Sequence, residues 1–146
     1  GWFKKPLTML KCPAKKTVWI DLDCEIREDV SDIFDLLVSD KLNMVEDKPW
    51  TKRRQELWHN SGIVGFIDKP VILTRWAQAI KDNPQVGDQE VLHSILNPIT
   101  KIGNINDLPN EYNVMRLQTE LDNYNGPIKV MHWTGPKGKE KIKRML

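Results

Sequence analysis

Two carboxylates one residue apart, Asp21 and Asp23, directly follow the β-branched and aromatic run Thr17-Val18-Trp19-Ile20. Residues i and i+2 of an extended segment point to one side, so the pair predicts a grip on a single cation or phosphate-bound metal. The position suits a ligand, because α/β sheets bind theirs just outside the carboxyl ends of the strands. With twelve aspartates in the chain, roughly one Asp-x-Asp arises by chance, so the strand context carries this reading and the spacing does not. His132 closes a second apolar run, Lys129-Val130-Met131-His132-Trp133. Taken singly, such a histidine reads more simply as a structural hydrogen bonder. Joined to the two acids, it makes a mixed oxygen and nitrogen donor set that shifts the expected ion from Mg²⁺ toward Mn²⁺. Lys137 and Lys139, beside Gly135 and Gly138, are placed to neutralise phosphate oxygens that approach the backbone closely. Trp133 is a candidate wall for a sugar.

Asp88 and Gln89 stand where a helix opens, and an acidic cap explains Asp88 equally well. Asn60 precedes a strand-like run and reads as a turn residue. His59 and His93 have no partner in the sequence and receive no role.

The elements that must hold these groups alternate. Thr17 to Ile20 reads as a buried strand. A helix follows over 28–37, with Val30, Ile33, Phe34 and Leu37 at helical spacing. Residues 39–59, rich in charge and containing Trp50 and Trp58, read as a long ordered loop of the kind that carries binding residues. Strand character returns over 61–67. Pro70 opens a helix running to about Asn83, burying Ile72, Leu73, Trp76 and Ile80. A further helix from Gly87 turns Val91, Leu92 and Ile95 inward, and a basic, helical tail runs from Lys137 to Leu146. Strands interleaved with helices give an α/β class.

Composition narrows the function. The chain has 146 residues, 40% hydrophobic and 29% charged, about one globular domain. A net charge of +2 argues against a nucleic-acid binder, which shows a basic stripe. No apolar run reaches the ~18 residues of a membrane span, and no signal peptide is visible at the start. Two cysteines, Cys12 and Cys24, are too few for a disulfide scaffold, so a reducing, cytoplasmic setting is expected.

In order along the chain, several segments resemble the retaining glycosyltransferases of family 8 and neighbouring nucleotide-sugar transferases of the GT-A fold. Val18-Trp19-Ile20-Asp21-Leu22-Asp23 is similar to the family's Asp-x-Asp strand, and Ile33-Phe34-Asp35-Leu36 to the helix after it. Asn60-Ser61-Gly62-Ile63-Val64-Gly65-Phe66 is similar to its "F-N-[AS]-G-V" strand, and Gly87-Asp88-Gln89-Glu90-Val91-Leu92 to its "D-Q-D-x-L-N". Leu108-Pro109 with Tyr112-Asn113 resembles "L-P-x-x-[WY]-N", and His132-Trp133-Thr134-Gly135 resembles the closing "H-x-x-G-x-x-K-P".

The resemblance implies a partial GT-A fold, a mixed sheet flanked by helices, with residues 1–146 forming the C-terminal part of the catalytic domain. It implies that Asp21, Asp23 and His132 hold Mn²⁺, with Mg²⁺ as the alternative, against the diphosphate of a UDP-sugar. Asp88 and Gln89 would lie at the sugar, and Asn60 would touch donor or acceptor. Lys137 or Lys139 would meet the leaving diphosphate, with Gly135 and Trp133 beside it. The acceptor would be a glycan, lipid or protein. Retention would follow from same-face attack or from double displacement.

The sequence departs from the family pattern in three places. Gly138 occupies the position of the closing lysine, and the proline after it is missing. Only 20 residues precede Asp21, where the family has about half a domain. The expectation is therefore a portion of a longer enzyme, or a relative that holds UDP weakly, with Lys4 and Lys5 in reach of a phosphate. Two rivals remain. A haloacid dehalogenase-type phosphohydrolase would use Asp21 as nucleophile and Asp23 as acid and base. A non-catalytic remnant would bind a glycan or a partner.

Overall fold

The computed structural model describes residues 4–146. In chain order the elements are α1 (Lys5–Met9), β1 (Lys16–Ile20), β2 (Cys24–Ile26), a 3-10 turn over Ser31–Leu36, β3 (Leu42–Glu46), α2 (Lys48–Arg54), β4 (His59–Ile67), α3 (Val71–Asp82), α4 (Asp88–Ser94), α5 (Pro98–Asn104), β5 (Ile105–Asp107), β6 (Val114–Met115), α6 (Arg116–Glu120), β7 (Val130–His132) and α7 (Gly135–Met145).

A four-stranded sheet runs β1-β4-β3-β5, and a three-stranded one runs β2-β7-β6. Both are mixed. β4 pairs antiparallel with β1 and β3, while β3 and β5 are parallel. β2 and β7 are antiparallel, with Cys24 opposite His132, and β6 and β7 are parallel.

Strand alternation sorts the apolar residues onto two faces. Val64 and Phe66 of β4, with Leu42 and Met44 of β3, pack against Ile72, Leu73, Trp76 and Ile80 of α3 and Val91 and Leu92 of α4. Ile63 and Val45 face the other way, toward Ile33, Tyr112, Met115 and Val130. The second cluster ties the small sheet to the large one, and the candidate residues stand along that seam.

Three expectations change. Residues 39–59 are not a loop: β3 and α2 lie within them. Asn43 interrupts the apolar run Leu42–Val45, yet it is fully buried, because its amide bonds Val38, Gly65 and Asn106. Asp47 caps α2 by accepting from Trp50 N at 3.1 Å. The helix expected over 28–37 is only the 3-10 turn, whose tighter pitch leaves Phe34 38% exposed. β1 is an edge strand, half-buried instead of buried, because only β4 pairs with it.

Candidate active site

β1 ends at Ile20, and residues 21–23 form a turn in which Cys24 N donates to Asp21 O. The alternation that would aim Asp21 and Asp23 together therefore does not apply, and the two carboxylates diverge. Asp23 meets His132, with Oδ1 3.0 Å from Nε2. The β2–β7 pairing and a bond from Trp133 N to Asp23 O hold them there. Asp21 turns instead to Lys5 Nζ, at 3.0 and 3.2 Å, and to Trp19 Nε1 at 2.7 Å.

Lys5 is 5% exposed and spans three partners. Besides Asp21 it reaches Ser61 O at 2.7 Å and Asp88 Oδ2 at 3.4 Å. Asp88 is the first residue of α4, but its side chain caps nothing. Its Oδ1 accepts from Ser61 Oγ at 2.9 Å. Gln89 accepts from Ser61 N through Oε1 at 3.1 Å and donates to Asp47 Oδ2 through Nε2 at 3.0 Å. Asn60 lies inside β4 and not in a turn, and it too donates to Asp47 Oδ2, at 3.0 Å.

These groups line one cleft of about 820 Å³, with Asp21, Asp23, Asn60, Asp88, Gln89, His132, Gly135 and Lys139 in its walls. Lys137 and Trp133 are not among the lining residues. The Trp133 ring neighbours Lys141 and Arg27, at 5.6 and 6.0 Å from its centroid. At the family's lysine position, a side chain on Gly138 would meet the Trp133 carbonyl oxygen at 2.3 Å, which explains the glycine there.

The electrostatics differ along the cleft. Burial works against the charge of Asp23, but the hydrogen bond and charge of His132 outweigh it and hold the carboxyl below its ordinary range. Burial raises Asp88 above that range, only partly offset by the Lys5 charge. Burial also drives the Cys24 thiol far upward, helped by the charges of Asp21 and Asp23.

Asp23, Cys24 and His132 bring one ligand atom each within 4.8 Å of one another. A soft sulfur donor suits a hard cation less well than carboxylate oxygen or imidazole nitrogen, so Asp23 and His132 are the stronger ligands of the three. That carboxylate and imidazole fit Mn²⁺ or Mg²⁺, on a wall open to the cleft. Asp21 lines the same cleft but is engaged by Lys5.

Sequence reasoning missed Asp47, Ser61 and Asn113. Asp47 carried a usable signal, an acidic cap two residues ahead of Pro49. The other two sat inside quoted motifs and were given no task. Lys5 showed no sign of contacting acids 16 and 83 residues away.

No protein-family model matches the sequence, and no curated protein matches it. Solved structures do match. The galactosyltransferase LgtC, in complex with donor and acceptor sugar analogues, aligns over 91% of this chain with a TM-score of 0.62 at 18% identity. The glycosyltransferase GlyE of Streptococcus pneumoniae TIGR4 aligns over 92%, with a TM-score of 0.65 at 15% identity. Mouse xyloside xylosyltransferase 1 aligns over 89%, with a TM-score of 0.57 at 12% identity. The fold is part of the GT-A glycosyltransferase fold. The chain spans 58% of LgtC, 37% of GlyE and 63% of the xylosyltransferase. Among the described residues, no helix is long and apolar enough to cross a membrane.

Proposed function

We propose that this chain is the C-terminal part of a catalytic domain that moves a hexose from a UDP-sugar to a glycan, lipid or protein acceptor, with retention at the anomeric carbon. The observation that carries the reading is the meeting of Asp23 and His132, 109 residues apart, in the cleft that also holds Asp88 and Gln89.

Each group has a task set by its surroundings. Asp23 and His132 would hold a divalent cation, which supplies charge stabilisation to the departing diphosphate. Lys139, on the exposed lip of the cleft, adds positive charge on the same side. Cleaving the glycosyl–phosphate bond builds positive charge on the sugar ring. Asp88 and the Gln89 carbonyl, which line the same cleft, would offset that charge, and Lys5 and Ser61 keep the Asp88 carboxylate in place. In the phosphohydrolase alternative Asp21 would be the nucleophile, but its oxygens are taken up by Lys5 and Trp19.

Calorimetry of UDP against this chain, with and without MnCl₂, tests the proposal. The expected result is UDP binding that requires Mn²⁺ and disappears in Asp23→Ala, while the folded spectrum persists. Binding that ignores the metal, or none at millimolar UDP with Mn²⁺ present, would overturn it.

A further inference from the structure

Asn113, from the Leu108-Pro109 to Tyr112-Asn113 segment, is fully buried and has no task in the reaction above. It bridges Asn60 and His132, and its surroundings fix which way three side-chain groups must point. Asp47 Oδ2 can only accept, so the two amide ends that face it, Asn60 Nδ2 and Gln89 Nε2, are nitrogens. Asn60 Oδ1 in turn receives the backbone N–H of Gly62 at 2.8 Å, a donor that cannot flip. The Asn113 group 2.9 Å from that same oxygen is therefore its NH₂ end. This leaves Asn113 Oδ1 facing His132 Nδ1 at 3.1 Å.

An amide oxygen has no hydrogen to give, so Nδ1 must carry one. We infer that Asp47, Asn60 and Asn113 form a relay that keeps a hydrogen on His132 Nδ1, so that Nε2 is the ring nitrogen left to the cation site beside Asp23. The inference rests on the cation reading above and names the residues that prepare it.

Asp23 Oδ1, 3.0 Å from Nε2, is an acceptor too, and a cation bound there would take the place of a hydrogen on Nε2. Losing the Nδ1 hydrogen instead would set two acceptors, Nδ1 and Asn113 Oδ1, against each other in a fully buried place, an unpaired arrangement that costs about 1–3 kcal/mol. Gly62 adds an independent constraint. A Cβ there would meet His132 Cε1 at 2.3 Å, Nδ1 at 2.6 Å and Asn60 Oδ1 at 2.8 Å, so only glycine leaves the ring and its relay where they stand. The same Asp47 oxygen also turns Gln89, so that its Oε1 accepts from Ser61 N. One carboxylate thus orients two side chains that line the cleft, Asn60 and Gln89. Asp47, Asn60 and Asn113 are positioning residues and touch no substrate in this scheme.

Long-range ¹H–¹⁵N correlation on the uniformly labelled full chain at pH 8.5, without metal, reads the tautomer directly. The expected His132 pattern has a hydrogen-bearing, pyrrole-type Nδ1. In Asn113→Leu, and in Asp47→Asn, Nδ1 should shift toward the bare pyridine type, with Mn²⁺ affinity about 10- to 100-fold weaker. A wild-type His132 with a pyridine-type Nδ1 overturns the relay whether or not either variant folds. So does a pattern unchanged in both folded variants. If the Nδ1–H form is found but Mn²⁺ does not bind, the relay stands and the cation reading fails.

Discussion

At the scale of single residues, the cleft depends on contacts whose tolerance is measurable. Gly62 packs so closely on His132 and Asn60 that a side chain there must displace the imidazole or the strand. Gly62→Ala should cost about 1–3 kcal/mol through overpacking and weaken Mn²⁺ binding more than tenfold, because the ring must swing away from Asp23. Gly103 in α5 is the internal control, since an added Cβ there meets nothing within 4 Å. Gly103→Ala should stabilise the chain by about 0.5–1 kcal/mol and leave Mn²⁺ binding unchanged. Urea midpoints and a Mn²⁺ titration on both variants check the pair. Equal effects at the two glycines would show that the ring placement does not depend on Gly62. Lys5 shows what a sequence hides at this scale. Its task comes from the Asp21 carboxylate just after β1, the Ser61 carbonyl of β4 and the Asp88 carboxylate of α4, and no local pattern announces such a meeting.

At the scale of elements, α3 positions the first turn of α4. Trp76 is fully buried in the main cluster, and its Nε1 donates to the backbone oxygen of Asp88 at 2.9 Å. The ring therefore couples the core to the placement of Asp88 and Gln89. Trp76→Phe keeps most of the apolar volume and removes the donor, with an expected cost of about 1–3 kcal/mol. Hydrogen exchange should quicken in α4 more than in β4, and uniform quickening would show that the indole bond has no local effect. α3 and α4 were legible because their apolar residues follow the helical period and their starts carry a proline or an acidic turn. β3 and α2 were not. Asn43 breaks the strand's apolar run, and its amide is satisfied in part by Gly65 O and the Asn106 side chain, groups distant in sequence, a compensation visible only after folding. The divergence of Asp21 and Asp23 was hidden for a related reason. Their spacing suits a strand, but the chain turns one residue earlier.

At the scale of the whole molecule, the join between α4 and β4 sets how stability responds to acid. His93 is 5% exposed and accepts the His59 backbone N–H at Nε2, at 2.9 Å. Its Nδ1 must then donate to Gln89 O, at 2.8 Å, so both ring nitrogens are committed in the neutral form. Burial is the main reason that its pKa falls from 6.5 to about 4, with the charge of Lys101 adding to it. Above pH 6.5 the ring is neutral folded and unfolded, and it costs nothing. As pH drops through 6.5 the unfolded chain binds the proton first, so stability declines with falling pH and levels off near pH 4. The slope approaches ~1.4 kcal/mol per pH unit, about 3 kcal/mol across the window. Two carboxyls act near the lower end. Asp88, raised by burial, moderates the loss as it takes up its proton in the folded state. Asp23, held low mainly by its bond and charge pairing with His132 against the cost of burial, adds further loss below the ordinary carboxylate range. Urea unfolding at pH 8, 6.5, 5.5 and 4.5 should therefore show a loss of under about 0.5 kcal/mol between the first two and a steeper fall across the rest. His93→Gln can still donate to Gln89 O and accept from His59 N without titrating, so its stability should lie flat down to about pH 4.5. A wild-type chain as stable at pH 4.5 as at pH 8 would mean that the α4–β4 join opens enough to solvate the imidazole, and that Gln89, whose carbonyl His93 holds, is less firmly placed at the cleft than its bonds to Ser61 and Asp47 imply.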